Sequence, residues 1–195
     1  STDRFYFEDK NAFWEVDMKL KKAQKVSSYP AEGANVDFHN KSRRTAYTRD
    51  NNLYIYDNQQ EIAVTSEPAH MVCGQSISRN EYGISKGTFW NTDGSKLAYY
   101  IKNESNVADY PLVDFTTTPA SSKTIKYPMA GAASEVVYVG VYDVATNSSV
   151  RLSMGRLPEN DQYYMTNLSW SPDGKTIYVA WLNRATTDMR FLSFD

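Results

Sequence analysis

The sequence predicts an all-β chain that forms part of a β-propeller, with about four blades of four-stranded antiparallel sheet. Three observations carry that expectation. Aromatic residues make up 14% of the chain, fifteen of them tyrosine, and aromatic and β-branched side chains suit pleated, half-buried surfaces. No stretch of twelve or more residues sustains the 3.6-residue apolar period of an amphipathic helix. One pattern also recurs three times: an aromatic residue closing a strand, a polar turn, then an apolar strand. It starts at Phe38, at Trp90 and at Trp170.

Taken in order, residues 10–25 have some helical propensity, but Ala12-Phe13-Trp14-Glu15-Val16-Asp17 reads better as a strand before a charged turn. The turn is followed by Lys19, Lys21, Lys22 and Lys25, a basic run best read as a solvated hairpin end. Phe38 opens the first repeat unit, and Asn52-Leu53-Tyr54-Ile55-Tyr56-Asp57 follows as a strand ending in a turn. In the second and third units the turns hold Asp93-Gly94 and Asp173-Gly174. Glycine takes positive φ freely and aspartate caps the turn. Val136 to Asp143 is a further strand, Ala145-Thr146-Asn147-Ser148 its hairpin turn, and Arg190 to Asp195 a final strand.

The first two units lie 52 residues apart and the last two 80. A unit of about 40–50 residues is the period of a propeller blade. The longer gap then holds a degenerate blade or a long insertion. Three or four blades are too few to close a ring, so residues 1–195 are expected to be part of a single, larger propeller domain, or else to close by assembly. The alternative, a small β-sandwich, leaves the 52-residue spacing without a reason.

Composition narrows the function. A net charge of −2 gives no reason to expect nucleic acid or an anionic membrane as partner. No apolar run approaches the roughly 20 residues of a membrane-spanning helix. A single cysteine, Cys73, excludes an internal disulfide without fixing the compartment. The opening Ser1-Thr2-Asp3-Arg4 carries no basic or apolar leader and reads as a processed end.

Residues 79–90, Arg-Asn-Glu-Tyr-Gly-Ile-Ser-Lys-Gly-Thr-Phe-Trp, contain two competing candidates. Gly83-Ile84-Ser85-Lys86-Gly87 spells a nucleophile elbow, which needs a strand before it and a helix after it. Thr88-Phe89-Trp90 and the Asp93-Gly94 turn are strand chemistry instead, and both histidines, His39 and His70, precede Ser85. Ser85 is therefore read as a loop residue. His70-x-x-Cys73 lacks the spaced partners of a zinc site. No phosphate loop or dinucleotide fingerprint is present, so neither cofactor nor metal is expected. The other candidate is Glu81, whose plain reading is a solvated loop carboxylate.

Longer motifs change that reading. Asn80-Glu81-Tyr82-Gly83-Ile84, Lys86-Gly87-Thr88-Phe89-Trp90 and Asp109-Tyr110-Pro111-Leu112-Val113-Asp114 resemble the propeller domain of the dipeptidyl peptidase IV family of serine peptidases. Tyr127-Pro128-Met129-Ala130-Gly131 is similar to that family's Tyr-Pro-x-Ala-Gly segment, and residues 167–173 with 181–184 to its next blade. The resemblance runs in order from about residue 37 to 195 and is looser over 1–36.

It implies that an eight-bladed propeller sits over a C-terminal α/β-hydrolase domain that carries a Ser-Asp-His triad and is absent here. The chain would be roughly half of that propeller, inactive alone. It would gate substrate and bind the N-terminus in an exopeptidase releasing Xaa-Pro dipeptides or Xaa-Xaa-Pro tripeptides. Glu81 matches the glutamate that binds the substrate's free α-ammonium group. Tyr82 and Asn80 are candidate substrate contacts, as is Arg4, which lies near the position of an arginine directed at the substrate carbonyl.

Family members usually carry two adjacent glutamates, and this chain has Asn80-Glu81, which is more like the prolyl tripeptidyl peptidases. Asp109 and Asp114 are expected either to cap turns or to form ion pairs in a projecting segment. From resemblance alone, the partners would be a peptide with a free N-terminus and a proline, the hydrolase domain of the parent chain, and a second copy in a homodimer. Location would be periplasmic or cell-surface. A non-catalytic propeller serving protein interaction is the competing function.

Overall fold

The structure is a computed structural model and describes residues 3–153 and 163–195. Its strands form successive antiparallel meanders, as the turn chemistry requires. The first blade is β1 (Arg4–Asp9), β2 (Ala12–Asp17) and β3 (Lys22–Ser28). The second is β4 (Ala34–His39), β5 (Arg44–Arg49), β6 (Asn52–Asp57) and β7 (Gln60–Ala63).

The third contains β8 (Met71–Cys73), β9 (Thr88–Trp90), β10 (Lys96–Asn103), β13 (Val136–Asp143) and β14 (Ser148–Arg151). Between β10 and β13 the chain leaves the sheet as a separate hairpin, β11 (Asp109–Asp114) with β12 (Ser121–Lys126). The last blade is β15 (Tyr163–Trp170), β16 (Ile177–Asn183) and β17 (Met189–Phe194).

The described blades therefore have three, four, five and three strands, where four apiece were expected. The fifth strand arises because the first strand of the third blade is split: β8 and β9 pair with opposite ends of β10. Among the described residues, the long gap between Trp90 and Trp170 holds an insertion, the β11–β12 hairpin with its flanking loops, and no extra blade.

Burial decides between propeller and sandwich. A sandwich sheet buries one face. Here β10 buries both: Leu97, Tyr99 and Ile101 face a core shared with Leu53 and Ile55 of the second blade, while Ala98 and Tyr100 face a core shared with Met165, Val179 and Trp181 of the fourth. A strand buried on both faces reads as a continuous apolar run, which explains Leu97-Ala98-Tyr99-Tyr100-Ile101. The sheets are stacked blade upon blade.

The repeated aromatic positions make the seams. Phe38, Trp90 and Trp170 occupy the same register, opposite Thr45, Leu97 and Ile177. Trp90 Nε1 donates to the Asp37 carbonyl of the preceding blade at 3.2 Å, and Trp170 Nε1 to the Phe89 carbonyl at 2.8 Å. Phe38 has no donor and instead stacks on Phe13 of the first blade at 4.3 Å between centroids. Arg44 and Asn91 each reach a turn glycine in the next blade, Gly94 O and Gly174 O.

Candidate functional site

The split in the third blade creates the site. Tyr100 of β10 spans the break: its N–H donates to Gly87 O at 2.9 Å, and its carbonyl accepts from Gly74 N at 2.8 Å. The ladder thus continues past the break, and residues 75–86 are extruded from within one strand. The two stems touch at the neck, where a Cβ on Gly87 would lie 2.2 Å from the Gln75 carbonyl carbon and oxygen. No side chain fits there. Ile77 and Ile84, 1% and 5% exposed, then pin both limbs into the core, so that residues 79–83 arch into solvent.

The arch is a short 3-10 segment, Ser78–Gly83, of unusual hand. Ser78, Arg79 and Asn80 have φ of 50°, 54° and 62°, and Tyr82 and Gly83 have 55° and 75°. Glu81 between them is extended, with φ −71° and ψ 168°. Left-handed φ costs a non-glycine residue about 1 kcal/mol or more, somewhat less for asparagine, and persists only where the surroundings impose it.

Three contacts impose it here. Ser78 N–H donates to Glu135 Oε1 at 2.7 Å. The Arg79 guanidinium lies over the Tyr127 ring at 4.2 Å. The Tyr82 ring packs against Tyr164 of β15 at 4.9 Å. Lys86 Nζ and Thr88 Oγ1 both donate to Asp37 Oδ2 at 3.0 Å, tying the trailing limb to the second blade.

Glu81 is thereby presented outward. Its side chain is exposed, and among the described residues its carboxylate has no ion-pair partner and accepts no hydrogen bond. Tyr82 beside it remains 40% exposed. Desolvation first, then the neighbouring Tyr164 and the Glu81 charge, hold its phenol above the usual value. Asn80 is exposed, with its backbone N–H bonded to Ile77 O. A cleft of about 230 Å³ lies behind the arch, between Ser85, Lys86 and Phe89 on one side and Asn167 and Leu168 of β15 on the other.

Arg4 stands apart, on β1 in the first blade. It bonds Asp17 at 3.2 Å and approaches Glu15 at 3.8 Å. Glu15 is buried in that seam, held by Tyr6, Gln24 and Arg43. Its hydrogen bond from Tyr6 leads in holding its carboxyl below the ordinary value, against the opposing effect of burial.

Ser85 is exposed and runs into β9 rather than a helix, so it lacks the elbow. His39 is engaged with Ser42. Cys73 is buried, which pushes its thiol up to about 11. Among the described residues no three His, Cys, Asp or Glu side chains converge as a metal site. Asp109 and Asp114 take one expected role each: Asp109 pairs with Lys126 at 2.9 Å, and Asp114 caps Thr116.

Sequence reasoning missed Glu135 and Tyr164 as supports of the arch, because neither lies near Glu81 in the chain. Tyr127 was visible only as part of a longer motif.

Comparison with known proteins agrees with this architecture. The family model described as the dipeptidyl peptidase IV N-terminal region matches residues 1–195. A protein named as a dipeptidyl-aminopeptidase B from Neurospora crassa is 27% identical over 94% of this chain and 22% of its own length. Its counterpart from Chaetomium globosum is 30% identical over 77% of this chain and 18% of its own.

A crystal structure described as a dipeptidyl aminopeptidase IV from Bacteroides ovatus superposes with a TM-score of 0.84 at 39% identity, over 99% of this chain and 26% of that one. Dipeptidyl peptidase 4 of Porphyromonas gingivalis shares the fold, with a TM-score of 0.76 at 23% identity over 98% of this chain and 28% of that one. The chain thus spans about a fifth of its curated relatives and about a quarter of the solved chains.

Proposed function

The chain belongs to the dipeptidyl peptidase IV family, as its N-terminal region, and from that membership we propose that it is the substrate-gating, N-terminus-binding portion of a serine exopeptidase. In this reading Glu81 receives the α-ammonium group of the substrate. Such a group, with a pKa near ~8, is largely protonated at neutral pH. A carboxylate pairs with it through charge-assisted hydrogen bonds. Fixing the amino end at a set distance from the nucleophile then measures off the residues removed.

The observation that carries the proposal is the Glu81 carboxylate itself. It is exposed and uncommitted among the described residues, on an arch strained into one shape. Tyr82 supplies a ring, and Asn80 an amide, on either side. Arg4, half-exposed in the first blade with its Nε bonded to Asp17, stays a further candidate contact.

The catalytic triad belongs to a C-terminal α/β-hydrolase domain of the parent chain, and the 195-residue piece alone hydrolyses nothing. Substrates end their released fragment in proline. A periplasmic or cell-surface location completes the proposal.

The test is Glu81→Gln in the full-length parent, assayed on Xaa-Pro and Xaa-Xaa-Pro chromogenic substrates with free N-termini. Glutamine keeps an acceptor but loses the charge, and the difference between a charged and a neutral hydrogen bond, about 1–1.5 kcal/mol, lowers kcat/KM roughly tenfold. An unchanged kcat/KM removes Glu81 from the site, whereas a parent that hydrolyses neither substrate returns the chain to the interaction-module reading. The ratio between the two substrates gives the length of the released peptide.

A further inference from the structure

We propose that Glu135 is a positioning residue for Glu81: its carboxylate grips the backbone at the root of the arch and so fixes where Glu81 stands. The inference rests on the reading of Glu81 above and deepens it.

Ser78 is the pivot. Ile77 before it is 1% exposed and locked in the core, and Ser78 is the first residue of the left-handed run. A rotation at this point would swing all of residues 79–83. The Ser78 N–H donates to Glu135 Oε1 at 2.7 Å, the length of a charge-assisted bond. Among the described residues this is the one side-chain acceptor bonded to the backbone of the arch. The other supports hold side chains rather than backbone: the Arg79 guanidinium lies over Tyr127, and Tyr82 meets Tyr164 through its ring and its phenol.

Glu135 is itself well placed to resist movement. It immediately precedes β13, whose first residue, Val136, is paired with Asn103 of β10. The bond therefore links the arch to the sheet from which it was extruded, through the far end of the insertion. Groups that orient a binding residue in this way matter nearly as much as the residue itself.

The role divides by chemistry. A positioning bond needs an acceptor at the right reach, whereas a direct contact with the substrate ammonium needs the charge. Glu135→Gln keeps acceptor and reach and removes charge. Glu135→Asp keeps charge and shortens the reach, and Glu135→Ala removes both.

In the full-length enzyme, Ala and Asp should raise KM for substrates with free N-termini roughly tenfold, with kcat little changed. Gln should stay within about threefold of wild type. Hydrolysis of p-nitrophenyl acetate, which has no amino end to bind, should be equal in all three. Tryptic cleavage after Arg79, in the exposed arch, should accelerate in Ala and Asp but not in Gln.

A silent Ala variant, or a Gln variant as impaired as Ala, overturns the proposal. The latter result would make Glu135 a charge contact of the substrate. Equal losses on p-nitrophenyl acetate also overturn it, as a general folding effect. A failure of the underlying reading shows separately, as a Glu81→Gln variant with unchanged kinetics.

Discussion

Gly87→Ala tests the construction of the site most directly, because it attacks the neck of the arch without touching Glu81. The new methyl would lie 2.2 Å from the Gln75 carbonyl carbon and oxygen and 2.5 Å from its nitrogen. Those are backbone atoms, so no side chain can swing away. Overpacking costs typically about 1–3 kcal/mol, and with backbone on the opposing side the upper end is expected.

Gly83→Ala is the matched control. Gly83 has φ +75°, yet nothing lies within 4 Å of its added Cβ. Only the conformational penalty applies there, about 1 kcal/mol. Urea unfolding of both variants, read as a shift in midpoint at unchanged slope, should place Gly87→Ala at least twice as far from wild type as Gly83→Ala. Equal shifts, or a Gly87→Ala shift below about 0.5 kcal/mol, would mean that the two stems separate easily and that the arch is not held at its neck.

Three further outcomes are expected. Trp170→Phe removes the indole bond to the Phe89 carbonyl and should lower stability by about 1–2 kcal/mol in the same assay. The Glu15 carboxyl titrates below its ordinary value near 4.5, so its stabilising effect is complete above that pH and is lost as pH falls through the depressed folded value. Thermal melts from pH 7 downward should show this loss, and Glu15→Gln should flatten the acid limb. Cys73, buried with its thiol raised to about 11, should resist a disulfide reagent at pH 8 until denaturant is added, as measured by thiol titration.

Much of the blade architecture was legible because local chemistry dictates it. Asp93-Gly94 and Asp173-Gly174 form turns with both glycines at φ 73°, and the aromatic residues before them sit in equivalent registers. The insertion was visible only as a gap, since the β11–β12 hairpin is exposed along nearly its whole length and lacks a clear alternation. The split strand could not be read at all: three residues on each side of a twelve-residue excursion do not make a periodic signal.

Ser85 could be set aside from sequence because Thr88-Phe89-Trp90 already read as a strand. Glu81 was a different case. No general pattern marks it, and only longer motifs drew attention to it. Of the left-handed residues of the arch only Gly83 and Asn80 belong to types that favour that conformation; at Ser78, Arg79 and Tyr82 tertiary contacts impose it. The Ser78–Glu135 bond joins residues 57 apart, beyond the reach of any local rule.

The tryptophan bonds at the seams have a consequence for how the chain accommodates insertions. The bond closing the second and third blades spans 53 residues, and the one closing the third and fourth spans 81. Loop-closure entropy grows only as the logarithm of length, so the longer loop costs about 0.4 kcal/mol more to close. That is less than the net worth of one ordinary hydrogen bond. A blade can therefore carry an excursion holding Tyr127 and Glu135 with little thermodynamic penalty at its seam. The greater effect falls on kinetics: each hairpin forms from near neighbours, whereas the seams wait for distant ones, so the arch takes its final shape only after the sheets around it have formed.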